Sequence, residues 1–236
     1  MVDNNSRDKL IVALDLPSCD GARALVDRLG DSVNFYKIGL ELIFSGGLAL
    51  ASELKAEGKR VFLDLKFLDI ANTVERAVAA AARLDIDFLT IHGHDTKTLN
   101  AAMRGRADSK TKLLAVTVLT NLYQTDLDEQ GIAATPASLV IRRARMAENA
   151  GLDGVIASGQ EAAAVRAETN AVFLIVTPGV RLPGGDIGDQ SRITTPEDAL
   201  RSGANHLVVG RPINAAKDPR AAAEAFLSRI AGASAI

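Results

Sequence analysis

The sequence predicts a single-domain α/β protein folded as a (β/α)8 TIM barrel. About eight short runs rich in Val, Ile and Leu alternate with helical segments from end to end. Several runs are nearly continuous apolar stretches, as expected of parallel strands covered on both faces. No Pro/Gly/Ser-rich linker divides the 236 residues, a length close to the roughly 250 typical of such barrels. A doubly wound open sheet is the alternative arrangement of the same units. Residues 1–236 form one domain, in which residues 1–8 read as a polar N-terminal extension.

The runs follow in order, and most end in polar chemistry. "KLIVALD" (9–15) ends on Asp15 and "VNFYKIG" (33–39) carries Lys37 near its end. "VFLDLK" (61–66) holds Asp64 and Lys66 and leads through Asp69 into the helical segment "TVERAVAAAARL". "DFLTIH" (87–92) ends on His92, and Thr120 follows "KLLAVTVL" (112–119). "DGVIAS" (153–158) and "VFLIVTPG" (172–179) come next, and "NHLVVG" (205–210) is followed by Arg211, with the helical "DPRAAAEAFLSRIA" behind it. In a barrel these residues gather at the C-terminal face, where barrel enzymes carry their chemistry. Strand ends are often polar for solvation alone, so no single one of them is decisive.

Composition excludes several classes of function. Twenty-seven basic and 29 acidic residues give a net charge of −2, so no global positive field attracts nucleic acid or an anionic membrane. With no Trp and 4% aromatics, stacking on bases is poorly supported. No apolar run approaches a membrane span, and the polar start lacks the apolar stretch of a secretory signal, so the expected compartment is the cytoplasm. The lone cysteine, Cys19, excludes an internal disulfide framework.

The stretch "VFLDLKFLDIANTV" (61–74) is the most informative. Asp64 and Lys66 are two apart and leave a strand from one face, while Asp69 lies at the approach to a helix. A structural reading makes Asp69 the helix N-cap and Lys66 the partner of Asp64. Lys37, at the end of the neighbouring strand of a barrel, adds a second ammonium beside Asp64. The alternating charges then hold one another ionised despite burial. At the other end of the chain, the glycine-bearing loop "VTPGVRLPGGDIGDQSR" and "VVGRPI" occupy the positions where barrels hold phosphate. Arg181, Gly210 and Arg211 are the candidates for that grip.

These residues resemble the orotidine 5′-monophosphate decarboxylase family of the bacterial type. "DLKFLDIANTV" is similar to its DxKxxDIxNT signature, and "ALD", "YKIG", "VTVLT", "TPGVR", "GDQSR" and "VVGRPI" stand in the family's order, from about residue 9 to 215. The resemblance implies a catalytic set of Lys66, Asp64, Lys37 and Asp69. It implies that Asp15 and Lys37 contact ribose hydroxyls, that Thr120 contacts the pyrimidine, and that Gln190 bridges base and phosphate from a closing loop. Arg181, Gly210 and Arg211 would hold the phosphate. Asp69 and Thr73 would reach the active site of a second subunit, so the family likeness implies a homodimer with shared sites acting on a small anionic nucleotide. It also implies no cofactor and no metal, with Lys66 as proton donor to the carbanion left by CO2.

Two stretches depart from the family pattern. "IHGHDTKT" replaces an expected run of small residues and glycine, so no role follows for His92 or His94, and their His-x-His spacing lacks a clear third metal ligand. "NLYQTD" after Thr120 does not match residue by residue. A sibling that resembles this chain in its DxKxxD motif, 3-keto-L-gulonate 6-phosphate decarboxylase, uses magnesium. Lys37 stands where that sibling has an acidic ligand, and an ammonium there repels a divalent cation. A non-catalytic nucleotide-binding barrel is the rival of a different class, but mere binding has little use for a buried cationic acid.

Overall fold

The apolar runs become eight parallel strands that close on one another in sequence order. The computed structural model describes residues 4–184 and 193–234. Its strands are β1 (Leu10–Ala13), β2 (Phe35–Gly39), β3 (Arg60–Phe67), β4 (Phe88–His92), β5 (Lys112–Val116), β6 (Gly154–Ile156), β7 (Leu174–Thr177) and β8 (His206–Val209). β8 pairs back onto β1, so the barrel is closed.

Helices fill the connections. In chain order they are α1 (Asn4–Lys9), α2 (Cys19–Leu29), α3 (Leu40–Ile43), α4 (Gly47–Ala56), α5 (Ala71–Ala82) and α6 (Thr96–Arg106). They continue with α7 (Gln124–Glu129), α8 (Pro136–Asn149), α9 (Ala162–Glu168), α10 (Pro196–Arg201), α11 (Arg211–Asn214) and α12 (Pro219–Ser234). Ser18, Asp95, Thr135 and Thr195 cap α2, α6, α8 and α10 through their side chains, and Pro opens α8 and α10 where its missing N–H costs nothing.

Strand alternation divides the core in two. Ile11, Ala13, Phe35, Phe62, Phe88, Leu114, Val176 and Val208 point into the barrel and fill it, so the interior is a packed core and not a pore. The residues between them, such as Val12, Tyr36, Val61, Leu63, Leu89 and Ile175, face the helices. Phe62 pairs with Lys37 and Gly39 with Asp64 in the β2–β3 register, so the charged residues form the layer directly above the phenylalanine floor.

Three details differ from the sequence reading. β1 stops at Ala13 and β5 at Val116, shorter than the apolar runs, so Asp15 and Thr120 stand on loops. Beyond the barrel rim the strands no longer flank one another, although Leu14 N–H still bonds Lys37 O at 2.8 Å. The N-terminal segment is not simply an extension. Residues 4–9 form a helical turn packed on α12 and β8, Ser6 is fully buried, and Asp8 O lies 2.9 Å from His206 Nδ1. α1 thus packs at the N-terminal end of the barrel, against α12 and the neighbouring strands β1 and β8. Finally, the β3–β4 register shifts between Leu63 and Phe67, and Lys66 takes a φ of +50°. A left-handed lysine is strained by roughly 1–2 kcal/mol, so its surroundings must hold it there.

Candidate active site

A cavity of about 630 Å³ opens at the carboxyl ends of the strands, a size suited to a small organic ligand. Asp15, Lys37, Asp64 and Lys66 line one side. Thr120 and Asn121 line another, and Pro178, Gly179, Arg181, Gly210 and Arg211 close the β7–β8 side. The sequence therefore brings together eight of its predicted site residues: Asp15, Lys37, Asp64, Lys66, Thr120, Arg181, Gly210 and Arg211.

The four charges alternate in sign along a chain of short contacts. Lys37 Nζ is 2.8 Å from Asp15 Oδ1 and 3.6 Å from Asp64 Oδ2, and the same Asp64 oxygen receives Lys66 Nζ at 2.8 Å. Burial alone would push the Asp64 carboxyl up, but Lys37 and Lys66 outweigh it and hold the group below the usual carboxylate range. Burial likewise opposes the Lys37 ammonium, and Asp64 and Asp15 overcome that and raise its pKa above the usual lysine value. Both groups stay charged in a nearly dry site. Such a pair is costly to bury, and its retention in a cavity fits a chemical task better than a stabilising one.

Two participants were not visible as site residues in the sequence. Thr90, fully buried on β4, donates its hydroxyl to Asp64 Oδ1 at 2.9 Å and accepts Lys66 N–H at 2.9 Å. Its signal was a lone hydroxyl within an otherwise apolar run. Gly39 lets Lys37 and Asp15 meet, because a Cβ there would lie 3.0 Å from Lys37 Nζ and 3.1 Å from Asp15 Oδ1.

The β7–β8 side is built from backbone as well as side chains. Val180 bridges Thr194, and Arg181 N–H bonds Thr194 O at 2.9 Å, which ties the two ends of the long loop together. Arg181 is buried, with Nη1 donating to Val180 O at 3.0 Å. Gly210 precedes α11, where its carbonyl accepts from Ile213 and Asn214, and Asn214 Nδ2 donates to Ala13 O at 2.6 Å. Gln190 lies outside the described residues.

Asp69 and Thr73 do not line this cavity. Both are exposed, and Asp69 does not act as the N-cap of α5. Ile70 occupies that position, and among the described residues the Asp69 carboxylate accepts only the adjacent Ile70 N–H, at 2.6 Å. The His92 and His94 rings meet at a tilt of 46° with centroids 4.7 Å apart, outside the cavity lining. Burial first, then His94, Lys66 and Arg143, push the His92 imidazole down to about 4, so it is neutral at pH 7. Among the described residues no three His, Cys, Asp or Glu side chains gather as a metal site, and no helix is long and apolar enough to cross a membrane.

A closed parallel barrel with an alternating ammonium–carboxylate array and arginines at its carboxyl-end cavity defines a (β/α)8-barrel enzyme for a small anionic substrate. Comparison with known proteins narrows the class. Residues 8–226 match the orotidine 5′-phosphate decarboxylase / HUMPS family, and the chain belongs to that family. It is 53% identical over 232 residues to orotidine 5′-phosphate decarboxylase of Ruegeria pomeroyi, covering 97% of this chain and 96% of the relative. It is 54% identical over 230 residues to the protein of the same name from Methylobacterium sp., covering 96% and 97%. The crystal structure of orotidine 5′-phosphate decarboxylase from Lactobacillus acidophilus superposes with a TM-score of 0.83 at 37% identity, covering 94% of this chain and 98% of that one.

Proposed function

We infer that the protein decarboxylates orotidine 5′-monophosphate to uridine 5′-monophosphate and CO2, the last step of de novo synthesis of that pyrimidine nucleotide, with Lys66 as proton donor. The observation that carries the assignment of roles is the Asp15–Lys37–Asp64–Lys66 chain at the cavity wall, in which two ammoniums flank one buried carboxylate.

Loss of CO2 leaves a carbanion whose lone pair lies in the ring plane, where the pyrimidine π system cannot delocalise it. A fixed ammonium is then the stabiliser available, and Lys66 both stabilises the carbanion and protonates it without a cofactor. Asp64 lies beside the departing carboxylate and keeps Lys66 in place. Lys37 and Asp15 take the ribose hydroxyls, Thr120 the base, and Arg181, Gly210 and Arg211 the phosphate. Gln190 bridges base and phosphate. The phosphate is remote from the bond that breaks, so its binding energy serves to close the site around the reacting centre.

The active form is a homodimer in which Asp69 and Thr73 complete the partner's site. Their exposure outside the cavity supports this, as do the exposed apolar side chains that follow β2 and β3 at the same end of the barrel, Phe44 at 89% and Ile70 at 72%. The cytoplasm is the compartment.

The test is loss of orotidine 5′-monophosphate absorbance with purified protein in EDTA, for wild type and Lys66→Ala. Turnover that survives chelation and vanishes in the variant is expected, with nucleotide binding retained. Near-normal turnover by Lys66→Ala would sink the role of Lys66.

A further inference from the structure

We propose that Thr90 is a positioning residue for the reaction: one buried hydroxyl sets both the rotation of the Asp64 carboxylate and the backbone from which Lys66 reaches the substrate. The proposal rests on the functional reading above.

The β3–β4 ladder breaks between Leu63 and Phe67. Lys66 N–H therefore loses the strand carbonyl that would ordinarily accept it, and a partly buried donor left without an acceptor is destabilising. Thr90 Oγ1 takes that bond at 2.9 Å, which helps to hold Lys66 at φ +50°. A non-glycine residue in this region persists only where its surroundings fix it. The backbone direction at Lys66 decides where its ammonium sits.

The hydroxyl's single hydrogen is committed elsewhere. It points at Asp64 Oδ1, 2.9 Å away, which leaves Oδ2 for Lys66 Nζ at 2.8 Å and Lys37 Nζ at 3.6 Å. If Oδ1 were unheld, the carboxylate could rotate and the charge array would lose its register. Thr90 lies beneath the cavity lining and is 0% exposed, so it touches no substrate and acts only through Asp64 and Lys66. Thr is also the smallest β-branched residue that supplies both a donor and an acceptor while filling a strand position.

The groups facing Asp64 are Lys37 from β2, Lys66 from β3, and Thr90 and His92 from β4, with Asp15 beyond Lys37. The Thr90 bond is among the causes that favour the ionised carboxylate. Its loss therefore shifts the acid limb of kcat/KM toward higher pH.

The experiment compares wild type, Thr90→Val, Thr90→Ala and Thr90→Ser in steady-state kinetics, uridine 5′-monophosphate binding and hydrogen exchange at the Lys66 amide. Val and Ala should lower kcat on the order of 10²-fold, as misplaced catalytic groups do. Nucleotide affinity should stay close to wild type, the Lys66 amide should exchange faster, and Ser should restore both. Unchanged kcat and exchange in whichever hydroxyl-free variant folds would overturn the proposal, as would equal losses in binding and turnover that Ser does not recover. If wild type fails to turn over the substrate, the functional reading falls, and the exchange result still decides whether Thr90 holds Lys66.

Discussion

Lys37 and Asp64 reach across neighbouring strands to within 3.6 Å of each other, in the layer immediately above the Phe62 floor of the barrel. Each is held in its charged form by the other. Asp64 is the hinge of this arrangement because both ammoniums converge on its Oδ2. Asp64→Asn keeps the shape and leaves Lys37 with the half-exposed Asp15 as its only acidic partner in the array. Removing one member of a buried pair should cost about 3 kcal/mol. Urea unfolding checks this, and a midpoint equal to wild type would mean that the array adds no stability.

The pH dependence of stability has an acid side and an alkaline side. Asp64 is held below the usual carboxylate range, so its contribution is present above pH ~3.9, the unfolded value, and is lost as pH falls through the lower folded one. Lys37 is raised, so its contribution is present below pH ~10.4 and is lost as pH rises through the higher folded value. His206 opens the acid limb earlier. Burial, with repulsion from Arg60 and Lys112, pushes it down to about 4 despite the Asp8 carbonyl and carboxylate that favour its charge. The unfolded chain binds a proton there that the folded chain refuses, so stability should decline from pH ~6.5 toward 4, by on the order of 3 kcal/mol. In His206→Phe that slope should flatten, leaving the comparable part due to His92, which is likewise pushed down to about 4; denaturant titrations at pH 7, 5.5 and 4.5 measure it.

Arg211 should matter in proportion to the charge of the ligand. Losing a hydrogen bond to a charged group costs about 1.5–3 kcal/mol, or roughly 10- to 100-fold in affinity. Arg211→Ala should therefore weaken uridine 5′-monophosphate by that factor and leave uridine nearly unaffected. Calorimetric titration with both ligands is the check, and equal losses for the two would place Arg211 away from the phosphate.

Much of this architecture was legible in the residues because a filled parallel barrel needs apolar runs on every strand. Asp64 and Lys66 break such a run, so they stand out, and Lys37 stands out for the same reason. Thr90 did not, since a threonine in a strand is ordinary β-sheet composition. Its role appears only when the shift opposite Leu63–Phe67 leaves Lys66 N–H without a ladder partner. The helix over residues 4–9 was hidden because a six-residue polar segment has no apolar period to read; its stability comes from α12 and β8 beneath it.

Dimerisation should be sensitive to the exposed apolar rim. Phe44→Asp or Ile70→Asp places a charge where a dry interface is proposed, at side chains that touch little within their own chain. Sedimentation equilibrium should show monomers, and turnover per chain should fall as Asp69 and Thr73 leave the partner's site. Monomers with full activity would remove both residues from catalysis.

Gly39 tests whether the charge array is tuned by space as well as by sign. Its φ of −102° is open to any residue, so the backbone alone does not demand glycine. The demand comes from the side chains, because a methyl group would press on Lys37 Nζ and Asp15 Oδ1 at 3.0 and 3.1 Å. Relief requires one of these to move by a few tenths of an ångström, and Lys37 is already gripped by Asp64. Gly39→Ala should thus fold with an unchanged melting temperature and lose turnover on the order of 10-fold, since small displacements of positioned charges are costly to catalysis. Kinetics beside a thermal melt separates the outcomes: a melting temperature that falls with activity would assign Gly39 to packing, and full activity would show that Lys37 and Asp15 have room to give.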